Sequence, residues 1–287
     1  PPVSLRPLCF VSLHSLVRVL FHVHNACKSN AGSRSATRRH VDYGRTYVAW
    51  PKGRHRATVV WLHGLGDNGA RYVPQLSFWP HLIQIRRYFG NIKWICPTAP
   101  TRPVSLFGGF PCAAWFDIAD PSQDGPDDAD GLEASAAHIA NLLSSEPADV
   151  KLGIGGFSMG AATALYSASC FAHGRYGNGG RYPINLSAVV GLSGWLPCSR
   201  SLKTKVESSQ EAARRAASLP LLLCHGTGDG VVPYKQGERS AETLRMSGFR
   251  NLRFEAYNGL EHYTIPEEMD AVCKWITARL QLDGSRA

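Results

Sequence analysis

The stretch Gly153–Ser167, "GIGGFSMGAATALYS", sets a serine between glycines where an apolar run stops and an alanine-rich run begins. Gly156-Phe157-Ser158-Met159-Gly160 is a G-x-S-x-G pattern, which alone says little in a chain with 28 glycines. Its flanks say more. A strand-like run followed at once by a helix-like run is the setting in which such a serine sits on a strained turn and lifts its hydroxyl above a sheet. The plainer alternative is a helix start with Ser158 as its N-cap. A serine hydroxyl becomes a nucleophile when a base takes its proton, and the base needs an acid to orient it. On this kind of turn the chain order is serine, acid, histidine. Of eleven histidines only His262 lies beyond residue 226, and Asp229 is the one aspartate between Ser158 and His262. Glu207, Glu211, Glu238, Glu242, Glu255 and Glu261 are rival acids. Position favours Asp229. It follows the apolar run "LPLLLCHG" in the short loop "TGDGVVP", just as His262 follows "LRFEAYNG" in "LEHYT". Open α/β sheets bind ligands along the carboxyl ends of their strands, so the three groups are expected on one rim. A developing oxyanion there needs two backbone N–H donors. Met159, directly after the serine, supplies one, and Leu65 in "HGLGDNG" (63–69) the other. His63 and Asp67 of that loop read as braces.

Elements that would carry these groups recur along the chain. "ATVVWLHG" (57–64), "NIKWICPTAP" (91–100), "VKLGIGGFS" (150–158), "LSAVVGLSG" (186–194), "LPLLLCHG" (219–226) and "LRFEAYNG" (252–259) read as strands, most of them apolar on both alternations. Strands buried on both faces show that pattern. "LEASAAHIANLL", "GAATALYSASCF", "SQEAARRAASL" and "ERSAETLRMS" between them read as helices, which predicts a doubly wound, mostly parallel sheet. "YGRTYVAWP" adds an antiparallel edge strand. Met269, Val272, Cys273, Ile276 and Leu280 share one face of a last helix, with Thr264, Pro266 and Glu267 as its start signal. The loop 173–183 is glycine-rich and reads as an exposed excursion. "PVSLFGGFPCAAWF" (103–116) is apolar, yet its glycines and prolines make it a poor strand or helix. Leu106, Phe107, Phe110 and Trp115 there either fill a satellite core or line a pocket, with Leu106 and Phe107 favoured for the pocket because Gly108-Gly109 follows them.

Composition bounds the alternatives. The chain has 287 residues, 44% hydrophobic and 18% charged, enough for a sizeable core. Its net charge is +9, but residues 1–41 carry six basic residues and no acid, which leaves +3 for the remainder. The excess therefore belongs to an N-terminal arm, read either as a transit-like address or as an irregular extension. No nucleic-acid motif accompanies it, so a nucleic-acid partner is not expected. The longest apolar run, Leu8–Val23, is short for a membrane span and contains Arg18. The eight cysteines show no metal or CxxC spacing and read as buried free thiols. The acidic stretch 117–133 fails as a calcium loop, because Pro126 and Ala137 would fall at its two end positions. Asp128 or Asp130 is expected to start the next helix instead.

"HGLGDNG", "NIKWICPTAPTRPVSLFGGFPCAAWFDI", "GGFSMGAATAL", "GLSGWLP", "CHGTGDGVVPYK" and "GLEHY" together resemble the acyl-protein thioesterase family, especially its plant branch. That family includes small carboxylesterases and lysophospholipases of the α/β-hydrolase fold. The resemblance covers about residues 58–263 and implies a single hydrolase domain over 42–287. It also implies an ester or thioester hydrolase with no cofactor and no metal. The family's nucleophile, acid and base fall on Ser158, Asp229 and His262, and its oxyanion donors on Leu65 and Met159. Its loop over the acyl pocket falls on about Arg102–Phe116, and Trp195 matches a pocket-lining position. Expected partners are an acylated protein or a small ester or lipid, with transient contact to a membrane surface, and the expected location is cytoplasmic unless the arm addresses an organelle. Three departures stand out: Met159 where many members carry glutamine, an unusual segment over 70–90, and the arm itself. Some plant relatives are described as protein deacetylases, which keeps that activity open. A receptor that has lost catalysis on this fold would be marked by an incomplete triad, and here the triad is complete.

Overall fold

The computed structural model describes residues 41–72, 90–119 and 125–282. The basic arm over 1–41, apart from Val41, and most of the unusual segment over 70–90 lie outside the described residues. Nine strands and six α-helices appear among those described. They are β1 (Gly44–Ala49), β2 (Ala57–Leu62), β3 (Ile92–Thr98), β4 (Thr101–Val104), β5 (Phe110–Ala113), α1 (Ala129–Ser144), β6 (Lys151–Phe157), α2 (Met159–His173) and β7 (Leu186–Leu192). After these come α3 (Leu202–Glu207), α4 (Gln210–Ser218), β8 (Leu221–Gly226), α5 (Tyr234–Met246), β9 (Leu252–Tyr257) and α6 (Pro266–Arg279). Every run read as a strand forms one, and the described residues from Asp42 onward belong to one compact unit.

Seven strands make the main sheet in the order β1-β3-β2-β6-β7-β8-β9. All neighbours are parallel except β1, which pairs antiparallel with β3 at the edge. The chain winds one way from β2 to β3 and the other way from β6 to β9. The reversal falls between β2 and β6, and crevices for ligands open at such a point above the strand carboxyl ends.

Both faces of the sheet are covered. Val60, Leu62, Ile154, Val189, Leu221 and Leu223 bury one face with α1 and α2. Val59, Trp61, Trp94, Val190 and Leu222 bury the other against Met269, Val272 and Ile276 of α6. The glycines of β6 make this possible locally. A Cβ on Gly155 would lie 2.5 Å from the Trp61 ring, so the indole of β2 occupies the space that a β6 side chain would need. Helix α2 is buried nearly all round, which explains its alanines: small side chains let it sit close to β6, β7 and α4.

Two elements were not expected. Residues 101–113 form a hairpin, β4 paired antiparallel with β5, rather than an irregular loop. Its prolines are tolerated because the ribbon has only two strands, so each has a free edge where a missing N–H costs nothing. Helix α3 is a short helix ahead of α4, with too few residues to show a period.

Candidate active site

The turn that carries Ser158 follows from close packing. Gly156 and Gly160 face each other, and a Cβ on Gly156 would lie 2.5 Å from the Gly160 carbonyl carbon. A Cβ on Gly160 would lie 2.3 Å from the Leu62 carbonyl oxygen at the end of β2. Between them Ser158 adopts φ 56° and ψ −122°, a strained conformation for a residue with a side chain. Its amide is held by the Leu192 carbonyl of β7 at 2.8 Å. Ser158 stands at the N-cap position of α2, but its side chain makes no capping bond. The hydroxyl instead lies 2.9 Å from His262 Nε2, so the plain N-cap reading does not hold.

His262 and Asp229 extend a hydrogen-bonded chain from Ser158. His262 Nδ1 donates to Asp229 Oδ2 at 2.7 Å, which leaves Nε2 as an acceptor facing the Ser158 hydroxyl. Phe157 lies against the imidazole with ring centroids 4.8 Å apart. Asp229 Oδ1 accepts from the amides of Val231 and Val232, each at 2.9 Å. Its Oδ2 also faces His225 Nε2 at 3.4 Å. Burial alone would raise the Asp229 pKa, and it is the largest single influence. The hydrogen bonds from His225 and His262, the His262 charge and the Val232 amide together outweigh it and hold the carboxyl well below its ordinary value. The carboxylate is thus a fixed anion behind the imidazole. Among the described residues no rival glutamate bonds to His262. His225, four residues before Asp229, is not singled out in the sequence, where neither a motif nor a period marks it.

The loop 63–69 sits against Ser158. A Cβ on Gly64 would be 3.4 Å from Ser158 Cβ, so the loop's backbone passes directly beside the serine. His63 is fully buried and braces the loop: Nδ1 donates to the Gly64 carbonyl at 2.7 Å and Nε2 accepts from the Ala99 amide at 3.0 Å. Burial pushes its pKa down, which keeps the ring neutral and able to accept. The Gly66 amide bonds to the Ala113 carbonyl of β5 at 2.9 Å. Asp67 accepts from the Asn68 amide and pairs with Arg71, within the loop and away from that hydrogen-bonded chain. Met159 is the first residue of α2, so its N–H has no acceptor inside the helix and lies at the positive end of the helix dipole. The Leu65 N–H takes no part in the backbone bonds found among the described residues.

The expected pocket residues divide. Trp115 is fully buried and its indole donates to the His63 carbonyl at 2.9 Å. Its place is in the core beneath the loop, the first of the two roles the sequence leaves open for it. Leu106 and Phe107 form a short turn at the tip of the β4–β5 hairpin; Leu106 is 39% exposed and Phe107 half-buried. The tip is tied down: the Leu106 amide donates to the Ile118 carbonyl at 2.7 Å, and Ser105 donates to Asp117 through its amide and hydroxyl. Next to this anchor a cleft of about 190 Å³ opens among Phe116, Ile118, Pro126, Trp195, Leu196 and Ser199. Trp195 meets Phe116 edge to face, with centroids 6.0 Å apart. Gly194, beside Trp195, packs on the backbone of the Ser158 turn, since a Cβ there would lie 3.0 Å from the Ser158 carbonyl oxygen. In the acidic stretch, Asp128 is the residue that caps α1, accepting from the Gly131 amide at 2.9 Å. Among the described residues no group of three or more His, Cys, Asp or Glu side chains could hold a metal ion.

Residues 44–280 match the sequence model of the family described as phospholipase/carboxylesterase. This chain belongs to that family. The phospholipase/carboxylesterase match spans every element from β1 to α6, and with it the protein is a hydrolase of the α/β-hydrolase fold. It is 31% identical over 252 residues to acyl-protein thioesterase 1 of Cryptococcus neoformans, covering 80% of this chain and 95% of that relative. It is 33% identical over 240 residues to acyl-protein thioesterase 1 homolog 1 of Dictyostelium discoideum, covering 82% and 96%. The crystal structure of Zea mays acyl-protein thioesterase 2 superposes with a TM-score of 0.79 at 66% identity, covering 83% of this chain and 100% of that one.

Proposed function

We propose that the protein hydrolyses carboxylic esters or thioesters through an acyl-enzyme on Ser158. The observation that carries this reading is the strained Ser158, 2.9 Å from His262 Nε2, whose Nδ1 is in turn 2.7 Å from Asp229. His262 takes the serine proton as Oγ attacks the acyl carbon. The Leu65 and Met159 N–H groups receive the charge that builds on the carbonyl oxygen. His262 then returns the proton to the leaving alcohol or thiol, and the acyl group stays on Ser158. Water, deprotonated by the same imidazole, attacks the ester and frees the acid and the serine. No step calls for a metal or a cofactor.

The names of the relatives point to an acylated protein as the substrate. The acyl chain is proposed to leave Ser158 past Gly194 and run beside Trp195 into the cleft, under the hairpin tip that carries Leu106 and Phe107. The cleft offers an apolar side, Phe116, Ile118, Trp195 and Leu196, to the chain, and a polar side, Asp117, Asp127 and Arg200, toward its mouth. The reading is tested by Ser158→Ala. Turnover of p-nitrophenyl esters and acyl-thioesters should vanish, and a fluorophosphonate probe should label the wild type and not the variant. Equal labelling of both would place the nucleophile elsewhere.

A further inference from the structure

Asp229 is served by a second histidine. His225, at the end of β8, is 1% exposed, and its Nε2 lies 2.8 Å from the Val232 carbonyl and 3.4 Å from Asp229 Oδ2. Both neighbours of that nitrogen are acceptors, so Nε2 carries the proton and the bond is shared. The ring cannot retreat. A Cβ on Gly237 of α5 would lie 2.4 Å from His225 Nδ1, which shows how closely the helix backs the imidazole. Tyr234, at the start of α5, meets the ring edge at 6.1 Å between centroids. The titratable groups beside His225 are therefore Asp229 and, through it, His262, with Tyr234 on the helix side.

We propose that His225 is a positioning residue of the active site: its shared Nε2–H holds the Asp229 carboxylate, and the 229–232 turn around it, in the register that His262 requires. The Asp229 carboxylate has four donors around it. Two are backbone amides on Oδ1, and two are histidines on Oδ2. Without His225 the Oδ2 atom is held only by the residue that it is supposed to orient. His225 also bonds the Val232 carbonyl while the Val232 amide bonds Asp229, so one ring closes the turn from both sides. His225 further draws off part of the carboxylate's charge, which otherwise acts on His262 alone.

The inference rests on the Ser158 reading, and the test separates the two. His225→Met keeps about the volume of the ring and removes the donor, whereas His225→Gln places an N–H near the position of Nε2. Loss of ester turnover in Ser158→Ala establishes the relay whatever the His225 variants do. In His225→Met, kcat should fall ~10-fold or more with little change in KM, in line with the loss of one bond to a charged group. The acidic limb of kcat/KM should move up by ~0.5 pH unit, because the undiluted carboxylate favours the protonated relay. His225→Gln should recover most of both effects. A folded His225→Met protein with wild-type kcat and an unmoved acidic limb overturns the proposal, as does His225→Gln damaged as much as His225→Met. Nitrogen NMR of the unmodified protein decides the case even if His225→Met does not fold. The Nε2–H tautomer at His225 supports the proposal, and Nδ1–H refutes it, since Nε2 would then have no proton to share.

Discussion

Replacing Asp229 by asparagine exchanges one oxygen for an NH2 group and changes almost nothing in shape. The surroundings decide where that group goes. Oδ1 receives two backbone amides, which cannot turn their protons away. The oxygen of the asparagine must therefore stay there, and its NH2 takes the place of Oδ2. That place faces His262 Nδ1 at 2.7 Å and His225 Nε2 at 3.4 Å, both of them donors in the native protein. Donor against donor is relieved if His262 shifts its proton from Nδ1 to Nε2. In that tautomer Nε2 points a hydrogen at Ser158 Oγ and no longer accepts one.

The expected loss follows from two effects. The charge-assisted bond to the imidazolium accounts for about 3 kcal/mol. The wrong tautomer brings the total to about 5.5 kcal/mol, or ~10⁴-fold in kcat, the scale of the same replacement in serine proteases. The assay is kcat on p-nitrophenyl butyrate at neutral pH, with melting temperature as a control for folding. A well-folded variant within tenfold of wild type would refute the reasoning. Acid titration gives an independent check of sign. The Asp229 pKa is depressed in the folded state, so its contribution to stability is present above the ordinary aspartate value. It is lost as pH falls through the folded value, and the asparagine variant should lack this part of the acid dependence.

Three further outcomes are expected. Gly160→Ala sets a methyl 2.3 Å from the Leu62 carbonyl oxygen, a backbone atom that cannot swing aside. It should cost about 3 kcal/mol and ~10 °C in Tm by calorimetry, and an unchanged Tm would mean that the turn has slack. Leu106→Ala and Phe107→Ala should change the ranking of acyl lengths from two to sixteen carbons with little loss of Tm; a common drop at all lengths with a lower Tm would make them core residues instead. Burial pushes the Glu268 carboxyl, in the first turn of α6, from 4.5 up to about 8, only partly opposed by the Ile265 amide. Between those values the folded state holds a proton that the unfolded state releases, so stability falls as pH rises through that window. Glu268→Gln should therefore raise Tm relative to wild type at pH 9 but hardly at pH 5, and an equal offset at both pH values would sink the assignment.

The sheet and the meeting of Ser158, Asp229 and His262 are legible because they rest on short-range signals. Apolar runs of strand length, buried on both alternations, announce a parallel sheet whatever their order in space. Ser158, Asp229 and His262 each directly follow such a run, so the right-handed winding of the chain brings them to one rim without further instruction. The hairpin was missed for the opposite reason. Its prolines and glycines argue against a strand in a large sheet, and only the two-stranded ribbon, anchored at Asp117 and Ile118, makes them harmless. Trp115 stays open in the sequence because an apolar loop residue gives no direction: its indole turns inward to the His63 carbonyl, a partner 52 positions away.

His225 marks a subtler limit. The residue is apolar-run sequence by position, the fifth residue of β8, and a histidine there reads as a satisfied core group. Its significance depends on Val232 and Asp229 folding back over it, and on a glycine, Gly237, where the helix passes closest to the ring's Nδ1. Such an arrangement has no period and no motif. It can be seen only once the turn has closed, because the same ring is both a brace for the backbone and a donor to the acid. If those two duties can be separated by the glutamine variant, the acid of this relay is set by a network of four donors rather than by its bond to His262 alone.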